Sequence, residues 1–423
     1  MSVRPSVVLA VVVAVVVVSA AWITAPARAV VPFERADLNG DGRLDSGDQL
    51  WWSILWRTSD PRADLNQDGK INSGDQLALA TALLEAWGMK PNVLTPTASP
   101  GRDPLLWPFS PSSPWNMPIG SNAVYVDAGL PATFMAAEDE IIAMQPGAPL
   151  RQVIVRDAWD AACTGEATTT TTIPVPDGLL TPLTSSDHYP NNTGAFVLAD
   201  GRTVREGNWA ARCDPAGPLY WGVQRDTHSL YGDGVSGFVG GHGGSGLSAL
   251  GGSLRHWEIR GAAPIRHALK LTISAQFLSQ CNGGDRWPAQ GADQGYNEPG
   301  AIMEYKGTIC AVRMGSLLAI EPSENCNALV AHAFARRICW TLQNYGAYIV
   351  DSGPAWWQPH VLNVEQGGND VVRSTYGLAF TAGPLQQQML TLMTRLKVVD
   401  NNNPASVGGG GSPRQPLAPP LSN

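Results

Sequence analysis

The chain is 423 residues long and acidic, with 36 Asp plus Glu against 28 Lys plus Arg and a formal net charge of −8. Neither a basic run nor a basic helix face is present, so the electrostatic footprint of a nucleic-acid binder is missing. Only 15% of residues are charged, while 45 Gly, 33 Pro and 15 Trp suit short strands joined by many turns, with Trp serving packed cores or sugar-ring platforms.

The first element is an export signal. Arg4, the apolar run Val7 to Ile23 and the small residues of Ala27-Arg28-Ala29 read as a signal peptide over residues 1–29, cleaved before Val30. A retained signal anchor is the rival, because the run nearly reaches bilayer-spanning length. No later stretch is long and apolar enough to cross a membrane, so a secreted or cell-surface protein is expected. Export makes disulfides the expected state of Cys163, Cys213, Cys281, Cys310, Cys326 and Cys339, among which three bridges allow fifteen pairings. No pair has Cys-x-x-Cys spacing, so neither a zinc site nor thiol catalysis is expected.

Residues 34–89 contain a duplication. The fourteen residues from Asp37 to Leu50 recur 27 positions later, from Asp64 to Leu77, with ten identities. A hard divalent cation takes six to eight oxygens, which a loop supplies from side chains at positions 1, 3, 5, 9 and 12 and a carbonyl at 7. Asp37, Asn39, Asp41, Asp45 and Asp48 fill the side-chain places of the first loop, with Arg43 giving its carbonyl; Asp64, Asn66, Asp68, Asn72 and Asp75, with Lys70, do so in the second. Gly42 and Gly69 occupy the sharp turn at position 6. Leu44 and Ile71 are expected to pair across the loops, and Leu77, Ala80, Leu84 and Trp87 form the candidate inner face of the second helix. Four carboxylates in the first loop repel one another without a cation, so folding and binding of two Ca²⁺ ions should be coupled.

These loops resemble a dockerin domain, the duplicated calcium module that docks onto cohesin domains in bacterial polysaccharide-degrading assemblies. The resemblance implies an extracellular role in polysaccharide breakdown and a cohesin-like partner recognised through positions 10 and 11, here Ser46-Gly47 and Ser73-Gly74. The alternative partner is the protein's own main domain, against which the Trp51-Trp52 pair would pack.

Residues 90–104, rich in Pro, Thr and Ser, read as a linker, and 105–399 as the main domain. Strand-like runs at Val124 to Val126, Gln152 to Val155, Gly194 to Leu198, Leu269 to Ile273 and Ile302 to Tyr305 predict a mainly β domain. Thr168 to Thr172 fits either a strand or an exposed loop. Asn325 to Tyr345 has helical spacing, with Leu329, Ala333, Ile338, Leu342 and Tyr345 on one face. The expected fold is a β-sandwich with at least one helix, after a small α calcium module. From Asp400 the Asn, Pro and Gly-rich chain to 423 reads as a disordered tail. Ser110 to Ile119, Gly240 to Gly252, Ile265 to Leu269 and Tyr345 to Asp351 resemble a group of secreted bacterial β-sandwich proteins with no assigned activity.

Candidate catalytic residues follow from chemistry. His242 stands in a glycine run where main chain can approach a ligand, as a general base or metal ligand; the alternative is a tightly turned loop. Glu206 with Glu304, or with Asp200, would give the two carboxylates of glycoside hydrolysis. Arg266 with His242 or His267 would suit elimination from a uronic acid sugar, although a structural His267 bonded to a main-chain carbonyl is the simpler expectation. Ser245 and Ser248 lack the Gly-x-Ser-x-Gly elbow of a serine hydrolase. The function expected is polysaccharide hydrolysis or elimination; the alternative is a non-catalytic glycan-binding, adhesion or structural protein.

Overall fold

The computed structural model describes residues 101–181, 191–357 and 359–422, and from the N-terminal part residues 36–38, 48, 52, 55, 60–65, 70, 71, 75, 78, 79 and 82. The chain divides into two compact units, Met1–Ser99 and Pro100–Asn423. Among the described residues no helix is long and apolar enough to cross a membrane.

In the first unit a small core contains Ala36, Trp52, Leu55, Ala63, Leu65, Leu79 and Ala82. Its members pair at the repeat spacing: Ala36 with Ala63, Trp52 with Leu79, Leu55 with Ala82, and the partly buried Leu38 with Leu65. The duplication therefore extends from sequence into packing. Ile71 packs against this core as expected, whereas Leu44, Leu77, Ala80, Leu84 and Trp87 lie outside the described residues. Trp52 does not await another domain: it is buried in this core and donates its indole N–H to the Ala63 carbonyl at 3.1 Å.

The second unit is β-rich, as expected. Its strands are β1 (Tyr125–Asp127), β2 (Phe134–Ala143), β3 (Leu150–Val155), β4 (Thr169–Pro174), β5 (Gly194–Val197), β6 (Thr203–Ala211), β7 (Leu219–Ser229), β8 (Leu269–Ser274), β9 (Leu317–Ile320), β10 (Ala347–Gly353), β11 (Pro359–Glu365) and β12 (Leu396–Val399). Its helices are α1 (His256–Arg260), α2 (Cys326–Leu329), α3 (Ala333–Asn344), α4 (Gly368–Tyr376) and α5 (Gly383–Met393). The strands join in one order, β1-β12-β9-β10-β8-β11-β2-β5-β6-β7-β3-β4. The pairs β8–β10, β2–β11, β2–β5 and β3–β7 are parallel, so the sheet is mixed rather than the all-antiparallel stack of a hairpin-built sandwich.

Side-chain alternation sorts the two faces of β8. Leu269, Leu271 and Ile273 enter the largest core, beside Phe334, Ile338 and Leu342 of α3 and Leu385 and Met389 of α5. Lys270, Thr272 and Ser274 therefore point the other way, yet they too are buried. At roughly 25 cal/mol per Å² of apolar surface removed from water, the helix-covered face supplies the driving force, and the opposite face is free to carry polar chemistry.

Several expectations are corrected. Ile302 to Tyr305 is a turn segment, not a strand, because Tyr305 is drawn inward and its N–H bonds to the Tyr296 carbonyl. The threonine run is strand: Thr169 to Thr172 belong to β4. The single helix expected over 325–345 is two, broken at the extended Val330, with the His332 side chain capping Phe334 N–H at the start of α3; Ala333 faces solvent. Residues 101–104 are not linker, since the Arg102 guanidinium donates to the carbonyls of Trp107, Pro108, Phe109 and Pro419. Nor is 400–422 a free tail. It bridges back at Gly120↔Pro413 and Arg102↔Leu421, and Asn401 and Asn402 bond the main chain around Gly408 and Gly409. Main-chain hydrogen bonds there do the ordering that composition assigned to apolar burial.

Candidate functional site

The polar face of the central strands holds a buried cluster of ionisable residues. Asp351 of β10 lies opposite Thr272 of β8, and Asn363 of β11 opposite Glu138 of β2. A register shift between Ile349 and Asp351 turns the acid onto this face, as bulges beside sites do. Asn363 donates to Glu140 at 2.9 Å, and Asn191 donates its side-chain amide to Asp351 at 2.8 Å and its main-chain N–H to Glu138 at 3.2 Å.

The glycine-rich segment 240–253 covers this face. It folds on itself through Gly240 N–H to the Gly246 carbonyl and His242 N–H to the Leu247 carbonyl. Its anchor is Glu206, brought inward beside a register shift in β6. One oxygen of Glu206 accepts from His228 at 2.7 Å and the Ser248 hydroxyl at 2.6 Å; the other accepts Gly241 N–H at 2.6 Å and Ala249 N–H at 2.8 Å. Burial opposes its charge, but His228 and these donors outweigh it and hold the carboxyl at about 2.

Between the anchored ends, Gly243 and Gly244 press on two acids. A Cβ at Gly243 would fall within the envelope of the Asp351 carboxylate, and one at Gly244 within that of Asp293. The two glycines thus bring the loop main chain against both carboxyl groups. Asp293 accepts from the Tyr305 and Ser352 hydroxyls, each at 2.7 Å; Asp351 accepts Ser352 N–H at 2.9 Å. Burial, then the neighbouring Asp293 and Glu138, push Asp351 well above the usual carboxylate range. Burial also raises Asp293, less strongly because two hydroxyls solvate its charge. Glu138 is lifted to about 7 by burial and by Glu140. Two acids so placed share a proton rather than both ionising. With Asp351 at 4% and Asp293 at 9% exposure they graze the surface, whereas Glu140 and Glu206 are at 0%.

Lys270 is sealed in, with Nζ 2.6 Å from the Ala249 carbonyl and 3.8 Å from Glu140. Burial disfavours the Glu140 charge, but His242 and Lys270 beside it keep that carboxyl below its ordinary range. His242, 2.9 Å from Glu140 through Nε2, is pushed below its ordinary value by burial, which the Glu140 charge opposes.

Of the residues expected from sequence, His242 and Glu206 meet in this network, but as its fully buried supports. His267 bonds the Ala268 carbonyl at 2.8 Å, the structural role anticipated, and Glu258 at 2.9 Å. Burial opposes its charge, but Glu258 raises it above the ordinary histidine value. Arg266 is half-buried near Tyr345. Glu304 is spent on Gly300 N–H and Lys306, and Asp200 on the turn at Arg202 and Thr203. Glu206, Glu304 and His267 thus bond other groups than the partners expected for them. Sequence reasoning missed Glu138, Glu140, Asp293, Asp351 and Lys270; acids and a lysine inside the apolar runs of β2, β8 and β10 were the available signal for all but Asp293.

Of the positions expected to bind calcium, Asp37, Asp48, Asp64, Lys70 and Asp75 are described, while Asn39, Asp41, Arg43, Asp45, Asn66, Asp68 and Asn72 lie outside the described residues. Asp48 and Asp75, the twelfth position of each loop, are both fully buried, and Asp48 accepts the Leu38 N–H at 2.8 Å. Comparison with known proteins finds no matching family model, no matching curated protein and no matching solved structure.

Proposed function

We propose that the protein is an exported polysaccharide hydrolase whose reacting groups are Asp351 and Asp293. The observation that carries this reading is their shared partner Ser352, whose hydroxyl bonds Asp293 at 2.7 Å and whose main-chain N–H bonds Asp351 at 2.9 Å, holding two acids of unequal proton affinity together at the rim of a buried cluster. Asp351, which holds its proton the more tightly, donates it to the departing glycosidic oxygen; Asp293, whose charge Tyr305 and Ser352 stabilise against burial, attacks the anomeric carbon or takes a proton from water. Elimination fits less well, because the lysine of this cluster is spent on Ala249 and Glu140 and cannot neutralise a uronate. Trp356, 74% exposed on the loop after β10, offers a stacking face for a sugar ring.

The duplicated loops are assigned two Ca²⁺ ions and a dockerin-like role, with a cohesin-like domain or the main domain as partner. Buried acids at equivalent places support this, since the twelfth residue closes such a loop. Cys163–Cys213 and Cys326–Cys339 disulfides support an oxidising, extracellular destination.

The test is release of reducing ends from a panel of neutral and acidic polysaccharides by the full chain, beside Asp351→Asn. Activity lost by about 10²-fold or more in the variant is expected. An inactive wild type across the panel, or an equally active variant, rules the reading out.

A further inference from the structure

Cys281 and Cys310 remain outside the two disulfides. They sit on segments that run together: Gly307 N–H bonds the Leu278 carbonyl at 2.7 Å, Ser279 N–H the Val312 carbonyl at 2.8 Å, and Met314 N–H the Gly284 carbonyl at 3.0 Å. Arg286 reaches across to the Ala311 carbonyl. These bonds set the two cysteines side by side, with their thiols close enough to influence one another, on a surface where Cys310 is exposed. Two thiols facing each other in an exported chain whose other four cysteines are bridged meet the requirement for oxidation.

We propose that Cys281 and Cys310 form a third disulfide, and that it clamps the segment presenting Asp293 and Tyr305 to the sheet. The chain between them, residues 282–309, carries both groups and lacks helix or strand for most of its length. Turn bonds such as Tyr296 N–H to Asp293 and Tyr305 N–H to Tyr296 hold it. Closing its ends limits the open states from which Asp293 is withdrawn. In the reaction each thiol gives up one proton and one electron to a disulfide oxidant, here oxidised glutathione, which departs as two thiols. This inference does not depend on the reaction proposed for the site.

The full chain is equilibrated with oxidised glutathione, denatured, alkylated without reduction, digested and mapped by mass spectrometry. A linked peptide containing Cys281 and Cys310 is expected. Alkylated or glutathione-capped Cys281 and Cys310, beside intact Cys163–Cys213 and Cys326–Cys339 links, overturn the bond. Amide exchange over 290–305 in the oxidised chain should be about tenfold slower than in Cys281→Ser/Cys310→Ser. Equal exchange with the bond present overturns the clamp.

Discussion

Asp293 and Asp351 are joined through Ser352, which donates its hydroxyl to Asp293 at 2.7 Å and its main-chain N–H to Asp351 at 2.9 Å. The acids come from different parts of the chain, and a third, the glycine-rich segment pinned by Glu206, packs against both. Four consequences can be measured.

Stability should peak in mild acid. Glu138 is raised from 4.5 to about 7, so the fold favours its protonated form. That contribution, about 3 kcal/mol, is complete below pH 4.5 and lost as pH rises to 7; Asp351 and Asp293 shift in the same direction. Glu206, lowered to about 2, acts oppositely, stabilising above 4.5 and failing as pH falls toward 2. Thermal melts should therefore be higher at pH 5 than at pH 8, with a smaller difference in Glu138→Gln. Equal melting temperatures at pH 5 and 8 in the wild type would refute this assignment.

Gly244→Ala should be damaging although alanine is small. Its Cβ enters the space of the Asp293 carboxylate, and overpacking of this kind costs about 1–3 kcal/mol. Urea titration measures it; a variant as stable as the wild type would show that the acids are not held by this segment.

Glu206→Gln should destabilise by about 3–5 kcal/mol. On one side the new amide NH₂ would face the Gly241 and Ala249 N–H groups, and on the other it would oblige His228 and Ser248 to accept where they now donate, while the charge that pairs with His228 is lost either way. Chemical denaturation reads the loss. A change below about 1 kcal/mol means that Glu206 does not anchor the loop.

Calcium should act on the N-terminal unit. Calorimetry of the full chain with CaCl₂ against EDTA should show one transition moving upward with free calcium. The movement should shrink in Asp48→Ala and Asp75→Ala, while the main-domain transition stays in place. A profile indifferent to calcium removes the metal, and with it the dockerin-like reading.

The sheet was partly legible in the sequence. Gln152 to Val155 and Leu269 to Ile273 fall inside β3 and β8 because β-prone side chains pack well on a pleated surface. Strand β2 was hidden because Glu138, Asp139 and Glu140 interrupt its apolar run, and local patterning cannot show that a buried polar face awaits them. Ile302 to Tyr305 misled for the converse reason: Tyr305 is buried to bond Asp293, not to extend the sheet.

The sequence by itself determined the duplication and the spacing of its acidic and amide side chains, because a repeat of this kind is written in consecutive residues. The tertiary structure alone decided which acids meet, which of them graze the surface and which cysteines face each other. Proton affinity and thiol pairing depend on distance and burial, and here both are set by contacts between residues remote in the chain.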